Sequence, residues 1–324
     1  MKQIVLEQPG KFARSEAAPP APAANEALVR VRRVGVCGTD FHAFHGRQPF
    51  FTYPRILGHE LAVEIVQAPS NDFGISSGDF CAVEPYLNCG GCGACRSGRY
   101  NCCENVRVLG VHTDGGMREF FAVPLGHLYK SSRLSFDQLV LVEPISIAAH
   151  AVNRSGLTGS EAVLVIGAGP IGFAVTQVAL AIGARPRVLE VAPARRDRIA
   201  SLGVEVLSEP DERLADVVFD ATGNLNAMAN SFSRVAFGGR VVWVGLAQGN
   251  VSVDDPLFHR RETTLLASRN SAGQFPNVIR MIEEGRIDTS PWITRRLDLE
   301  GVPALFDDPT WHHEGLKTIV EVAR

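Results

Sequence analysis

No apolar run in this chain reaches the roughly eighteen residues that a membrane span requires. Charge of one sign is equally scarce. Lys and Arg number 32 against 35 Asp and Glu, a formal net charge of -3, so no general attraction to nucleic acid follows. The basic run RVRR at 30–33 is too short to change that and reads as a solvated strand edge. Basic residues interleaved with aromatics, the footprint of a nucleic-acid surface, are missing. Internal repeats are missing too, and the one biased tract is the Pro/Ala turn AAPPAPAANE at 17–26. The opening MKQIVLEQPGKF has one short apolar stretch and no small-residue cleavage site, so it does not read as a signal peptide. A cytoplasmic protein with no membrane or nucleic-acid partner is expected. The cysteines number seven, and an odd count argues against a fully paired disulfide framework.

What is present is a chain of 324 residues, enough for about two domains. The first half is rich in short apolar segments and turns: ALVRVRRVGVC (27–37) alternates as a strand should, and LAVEIV and FCAVEP follow. The texture changes near 160. AVLVIGAGPIGFAVTQVALAIGA (162–184) is a buried strand, a glycine turn and a long apolar helix. Strands at PRVLEV, DVVFDAT, GRVVWVG and TTLLAS then alternate with helices, the pattern of a parallel doubly wound sheet. After about 270 a helix (FPNVIRMIEEG) and a last strand (KTIVEV) start no further strand–helix unit, so this tail is assigned back to the first domain. The expectation is a mixed α/β chain: a β-rich domain from 1–152 and 270–324, and a Rossmann domain from 153–269.

GAGPIG at 167–172 fits G-x-G-x-x-G in its confirming context, between a strand and a helix. Gly167 permits the tight turn, Gly169 lets the backbone approach a pyrophosphate, and Gly172 lets helix and strand pack closely; Pro170 and Ile171 complete the turn. A pyrophosphate would rest on the helix N-terminus. Glu190 follows Gly172 by eighteen residues, where an acid bonds the adenosine ribose hydroxyls and repels a 2′-phosphate. NAD is therefore expected over NADP, although Arg195 and Arg196 lie close by.

Five of the seven cysteines fall in CGGCGACRSGRYNCC, 89–103. Cys89, Cys92 and Cys95 are spaced C-x2-C-x2-C, and a further thiol follows at Cys102 or Cys103. Four thiolates on a small-residue loop suit a closed tetrahedral zinc site, structural because no position stays open. Residue chemistry alone leaves the choice between Cys102 and Cys103 open. A second donor group is scattered: Cys37 and His42 in GVCGTDFH, His59 and Glu60 in GHE, and Glu143 in LVEPISIAAH. Three such donors and a free position would make a catalytic zinc site.

In this order, with GVHTDGGMREFFAVP between the cysteine loop and VEP, these motifs resemble the zinc-containing medium-chain alcohol dehydrogenases. The texture is nearest the polyol, threonine and sugar-acid branch, and the likeness spans essentially the whole chain. It implies a GroES-like catalytic domain interrupted by a Rossmann domain, with the active site in the cleft between them. It implies two zinc ions and NAD. Cys37, His59 and Glu143 would hold the catalytic zinc, with Glu60 an interchangeable ligand or close partner. Cys89, Cys92, Cys95 and Cys103 would hold the structural one, leaving Cys102 spare. Thr39 and His42 would relay the alcohol proton to solvent, Arg269 would contact substrate, and Arg195 would lie near the adenine. The implied activity is hydride transfer from a secondary alcohol, a polyol or sugar acid, to NAD by a homodimer or homotetramer. A dehydrogenase of simple alcohols, and an inactive relative used for binding, are the alternatives. Val63 and Pro69 stand where the family usually has glycine, so the loop at 67–79 is expected to differ in shape.

Overall fold

In the computed structural model, which describes residues 1–48, 51–308 and 315–323, the chain divides into two units by its internal contacts. One comprises Met1–Glu143, Phe275–Glu283 and Thr289–Arg324; the other comprises Pro144–Gln274 and Glu284–Asp288. The expected boundaries at 152/153 and 269/270 are thus displaced. The first fell inside a single helix, Val142–Ser155, which no turn signal interrupts. The short piece Glu284–Asp288 stays with the second unit through a Gln177 side chain bonded to the Asp288 carbonyl at 2.7 Å.

The first unit is built on a sheet centred on the strand Glu26–Val36. Glu60–Gln67 pairs along one edge of it, and Phe120–Pro124 and Lys317–Glu321 share the other. RVRR is therefore the middle of the sheet, not a solvated edge. Its alternation places Ala27, Val29 and Val31 inside, then breaks at the Arg32–Arg33 pair. A register shift between Val31 and Arg33 re-phases the strand so that Val34 and Val36 point inward again; an extra residue in a bulge does this without turning the later side chains to the wrong face. The arginines stay outside on partners: Arg32 on Glu64 at 2.8 Å and Arg33 on Asp137 at 3.2 Å. The core under this sheet gathers Leu6, Leu57, Leu61, Ile65, Met117 and Phe121, all at most 1% exposed. Val63, where the resembling family has glycine, is fully buried in the second strand.

The second unit holds a six-stranded, wholly parallel sheet. Its strands lie in the order Glu205–Leu207, Arg185–Leu189, Ala162–Ile166, Ala215–Asp220, Val235–Trp243, Thr264–Ala267. In chain order this is 3-2-1-4-5-6, and its reversal beside the first strand is where doubly wound sheets bind ligands. Continuous apolar runs such as VLVI suit strands covered on both faces: Val163, Val165, Val217, Val218 and Phe219 are at most 1% exposed. Among the described residues no helix is long and apolar enough to cross a membrane.

Candidate active site

Strand pairing assembles the first donor group. Glu26–Val36 and Glu60–Gln67 run antiparallel with Gly35 opposite Glu60, so the end of one strand delivers Cys37 to the start of the other, where His59 and Glu60 sit. A Cβ on Gly35 would collide with the Glu60 carboxylate, and glycine is what leaves the space. Cys37 then caps the helix Gly38–Phe44, with Asp40 Oδ2 accepting its N–H at 2.9 Å. The donor atoms of Cys37, His59 and Glu60 all lie within 4.8 Å of one another. Glu143 was the expected third donor. It stands outside that close set and accepts a hydrogen bond from Tyr86 on Oε1. It is nevertheless 2% exposed and, in the first turn of its helix, sits where the dipole favours a negative charge.

Two of these groups, His59 and Glu143, are shifted from their ordinary values. Burial would lower the His59 pKa, but Asp40, Cys37 and Glu143 outweigh it and push it well above the usual imidazole range. Asp40, 1% exposed, has its Oδ1 3.7 Å from His59 Nδ1. Burial raises the Glu143 carboxyl to about 7. Glu60 Oε1 takes the Lys317 ammonium at 2.6 Å, with both side chains at most 2% exposed. His59 Nδ1, Glu60 Oε2 and Glu143 Oε2 are buried with no hydrogen-bond partner. Buried acceptors seldom stay unsatisfied. A soft sulfur, an imidazole and carboxylate oxygens around one point, with one ammonium against two carboxylates, form a donor set that a zinc ion fits.

Thr39 Oγ1 lies 3.8 Å from Cys37 Sγ. His42 follows three residues later on the same short helix, exposed, its pKa lowered by partial desolvation and then by Arg47 and His45. Arg269 belongs to the second unit, exposed just beyond the strand Thr264–Ala267. Asp40, Tyr86 and Lys317 had not been singled out in the sequence. Asp40 carried a signal, since an acid three residues after a helix start is capping-box spacing. Lys317 carried almost none, standing 257 residues from its partner; the one oddity is a lysine opening an apolar strand.

The sulfurs of Cys89, Cys92, Cys95 and Cys103 form the other close group. Cys103 is buried while Cys102 is exposed on the turn Tyr100–Cys102 and outside the group. Backbone N–H groups aim at the sulfurs, Cys95 N at Cys92 Sγ (3.4 Å) and Cys89 N at Cys103 Sγ (3.3 Å). Such donors favour thiolates: backbone hydrogen bonds bring the Cys89 thiol down to about 6, whereas burial raises Cys95 to about 12. One cation among the four would let all of them ionise, which fits a closed zinc site.

In the second unit the glycine turn is shaped as its sequence requires. Gly167 has φ +92°, and a Cβ on Gly172 would collide with the Gly167 carbonyl. Pro170 opens the helix Pro170–Ala181, where its missing N–H costs nothing. The backbone cradle and helix terminus fit a pyrophosphate. Arg195 is beside it, its guanidinium 4.0 Å from where a Gly169 Cβ would stand. Glu190 behaves differently from the expectation of a ribose acceptor alone: it is 5% exposed and both oxygens already accept main-chain N–H groups, Ala168 at 2.7 Å and Ala192 at 2.8 Å. It braces the glycine turn.

Models of two families match the chain: the alcohol dehydrogenase GroES-like domain over residues 23–133 and the zinc-binding dehydrogenase over 170–284. L-galactonate-5-dehydrogenase of Escherichia coli (strain K12) is 41% identical over 310 residues, 91% of either chain. Two crystal structures are similar over 99% of both chains at 27% identity. One is an alcohol dehydrogenase from E. coli CFT073 in complex with NADH, TM-score 0.92. The other is a putative zinc-binding dehydrogenase from Sinorhizobium meliloti 1021 bound to NADP, TM-score 0.93.

Proposed function

Because the chain belongs to the zinc-containing medium-chain alcohol dehydrogenases, we propose that it oxidises a secondary hydroxyl of a polyol or sugar acid with NAD as the hydride acceptor. The observation that carries this is the meeting of half-buried Cys37 with buried His59 and Glu60, together with a second buried carboxylate, Glu143. The sugar-acid relative at 41% identity favours an aldonate-like substrate within that class. The products are the ketone, NADH and one proton.

Cys37, His59 and Glu60 would hold the catalytic zinc, with Glu143 as the alternate carboxylate. Cys89, Cys92, Cys95 and Cys103 would hold the structural one. When bound, zinc supplies Lewis-acid polarisation of the substrate hydroxyl, and NAD supplies the hydride acceptor. The remaining work falls to the chain. Asp40 orients His59. Thr39 accepts the hydroxyl proton while passing its own on, and His42, on the same helix face and open to water, takes up and releases the proton. The turn Gly167–Gly172 holds the pyrophosphate, Glu190 keeps that turn in shape, and Arg195 flanks it. Arg269 contacts the substrate's polar groups. The protein is taken as a cytoplasmic homodimer or homotetramer: seven free cysteines suit a reducing compartment, and the uncovered strand Thr264–Ala267 offers an edge to a second copy.

The test is a screen of polyols, aldonates and secondary alcohols for NADH formation, with zinc counted in the wild type and Cys37→Ser. Two zincs should fall to one and turnover should vanish. Retention of both zinc and turnover by Cys37→Ser overturns the site.

A further inference from the structure

One buried acid has no role in the scheme above. Asp220 ends the strand Ala215–Asp220 and is 0% exposed. In the sheet it stands opposite Ile166, the residue before Gly167. It is therefore at the C-terminal ends of the strands, where a doubly wound sheet binds its ligand. Its Oδ1 accepts two hydrogen bonds from one residue, Thr222 N at 3.0 Å and Thr222 Oγ1 at 2.7 Å. Thr222 Oγ1 in turn accepts Asn224 N at 3.0 Å, and Asn224 caps the helix Leu225–Ser231. The Asp220 carbonyl accepts Val244 N at 2.9 Å and Gly245 N at 3.0 Å, from the chain just past the next strand. The threonine so held lies against the glycine turn: its Cγ2 is 3.0 Å from where a Gly167 Cβ would stand.

We propose, resting on the function stated above, that Asp220 is a positioning residue for NAD: through Thr222 it fixes the wall that faces the glycine turn and so sets the affinity for the cofactor. A loop leaving the end of a strand has no ladder hydrogen bonds to hold it. Ordering such a wall at the moment of binding would subtract from affinity, and a wall ordered beforehand does not. Two acids then hold the turn from either side of its strand, Ala162–Ile166. Glu190 follows the neighbouring strand on one side and bonds the turn's own main chain at Ala168. Asp220 ends the neighbouring strand on the other side and acts through Thr222. Its Oδ2 is buried with no hydrogen-bond partner, and burial raises the pKa of the carboxyl. The clamp needs only the accepting oxygen Oδ1, which asparagine keeps and alanine lacks.

The experiment titrates the zinc-loaded protein with NADH, followed by nicotinamide fluorescence, in wild type, Asp220→Asn and Asp220→Ala. Asp220→Asn should bind NADH close to wild type. Asp220→Ala should bind it about tenfold more weakly, the worth of one or two hydrogen bonds. In Asp220→Ala the KM for NAD should rise in proportion, while the zinc count and the KM for the alcohol found in the screen above stay as in wild type. A residue that only stabilised its unit would lower the melting temperature without separating the two KM values. If Asp220→Ala does not fold, Thr222→Val, which keeps the methyl and loses the hydroxyl, takes its place and should weaken NADH binding in the same direction. Wild-type NADH affinity in whichever of these two variants folds overturns the proposal, and so does Asp220→Asn binding as weakly as Asp220→Ala. If instead the wild type itself binds no NADH, it is the function stated above that fails.

Discussion

Lys317 is a lysine that water hardly reaches, and its only compensation is chemical. Its ammonium sits 2.6 Å from Glu60 Oε1, and the Coulombic pull of Glu60 and its neighbours outweighs the burial that would otherwise lower its pKa. Breaking a buried pair by deleting one partner commonly costs about 3–5 kcal/mol, since the other charge is left stranded. Lys317→Met should lose about that much stability in protein stripped of metal, read from the denaturant midpoint. The loss should shrink in metal-loaded protein, where a divalent cation takes over the neutralising role. Equal midpoints for variant and wild type without metal would remove Lys317 from the site. The same residue-scale logic explains Asp40 and Gly35. One is a buried acid that both caps the helix behind Cys37 and faces His59, and the other is an empty place that a carboxylate needs.

At the scale of elements, the cysteine loop and the glycine turn are both backbone devices. Between its first three cysteines the loop 89–103 holds only Gly90, Gly91, Gly93 and Ala94, and its sulfurs converge because the backbone N–H groups and the strands at its ends direct them there. A closed metal site in such a loop contributes folding energy outright. Cys103→Ser should therefore cost one zinc and a marked fall in melting temperature, while Cys102→Ser, altering an exposed thiol on the turn, should cost neither. The reverse result would exchange the two assignments. The glycine turn needs no metal, only the absence of side chains at Gly167 and Gly172, and Glu190 adds a pair of hydrogen bonds that lock it.

At the scale of the whole molecule, each unit has its own sheet and core, and the six-stranded sheet ends at Thr264–Ala267 with most of that strand exposed and Leu265 among the exposed apolar residues. Unpaired edge strands readily pair with another chain. Sedimentation should find a dimer or tetramer, and Leu265→Lys should shift the population towards monomer. A wild type that sediments as a monomer at tens of micromolar removes that assignment.

The glycine turn, the cysteine spacing and the strand–helix alternation could be read from sequence because each is local: a few residues at fixed spacing dictate one backbone shape. The choice of Cys103 needed the family likeness first, and the fold then separated the two thiols by burial. RVRR reads as an edge because pairing on both sides of a strand is decided by segments up to 288 positions away, such as Lys317–Glu321 against Arg33–Val36. The unit boundary inside Val142–Ser155 was missed for a similar reason, since an unbroken helix carries no mark of where its contacts change. Sequence by itself settled which residue types were available for chemistry and on which kind of element each would lie. Tertiary structure alone decided that Glu60 rather than Glu143 joins Cys37 and His59 most closely, and that Lys317 and Tyr86 each hold one of those carboxylates. The physical reason is that hydrogen bonds and ion pairs between buried groups depend on distance in space. Neither partner's local sequence records that distance.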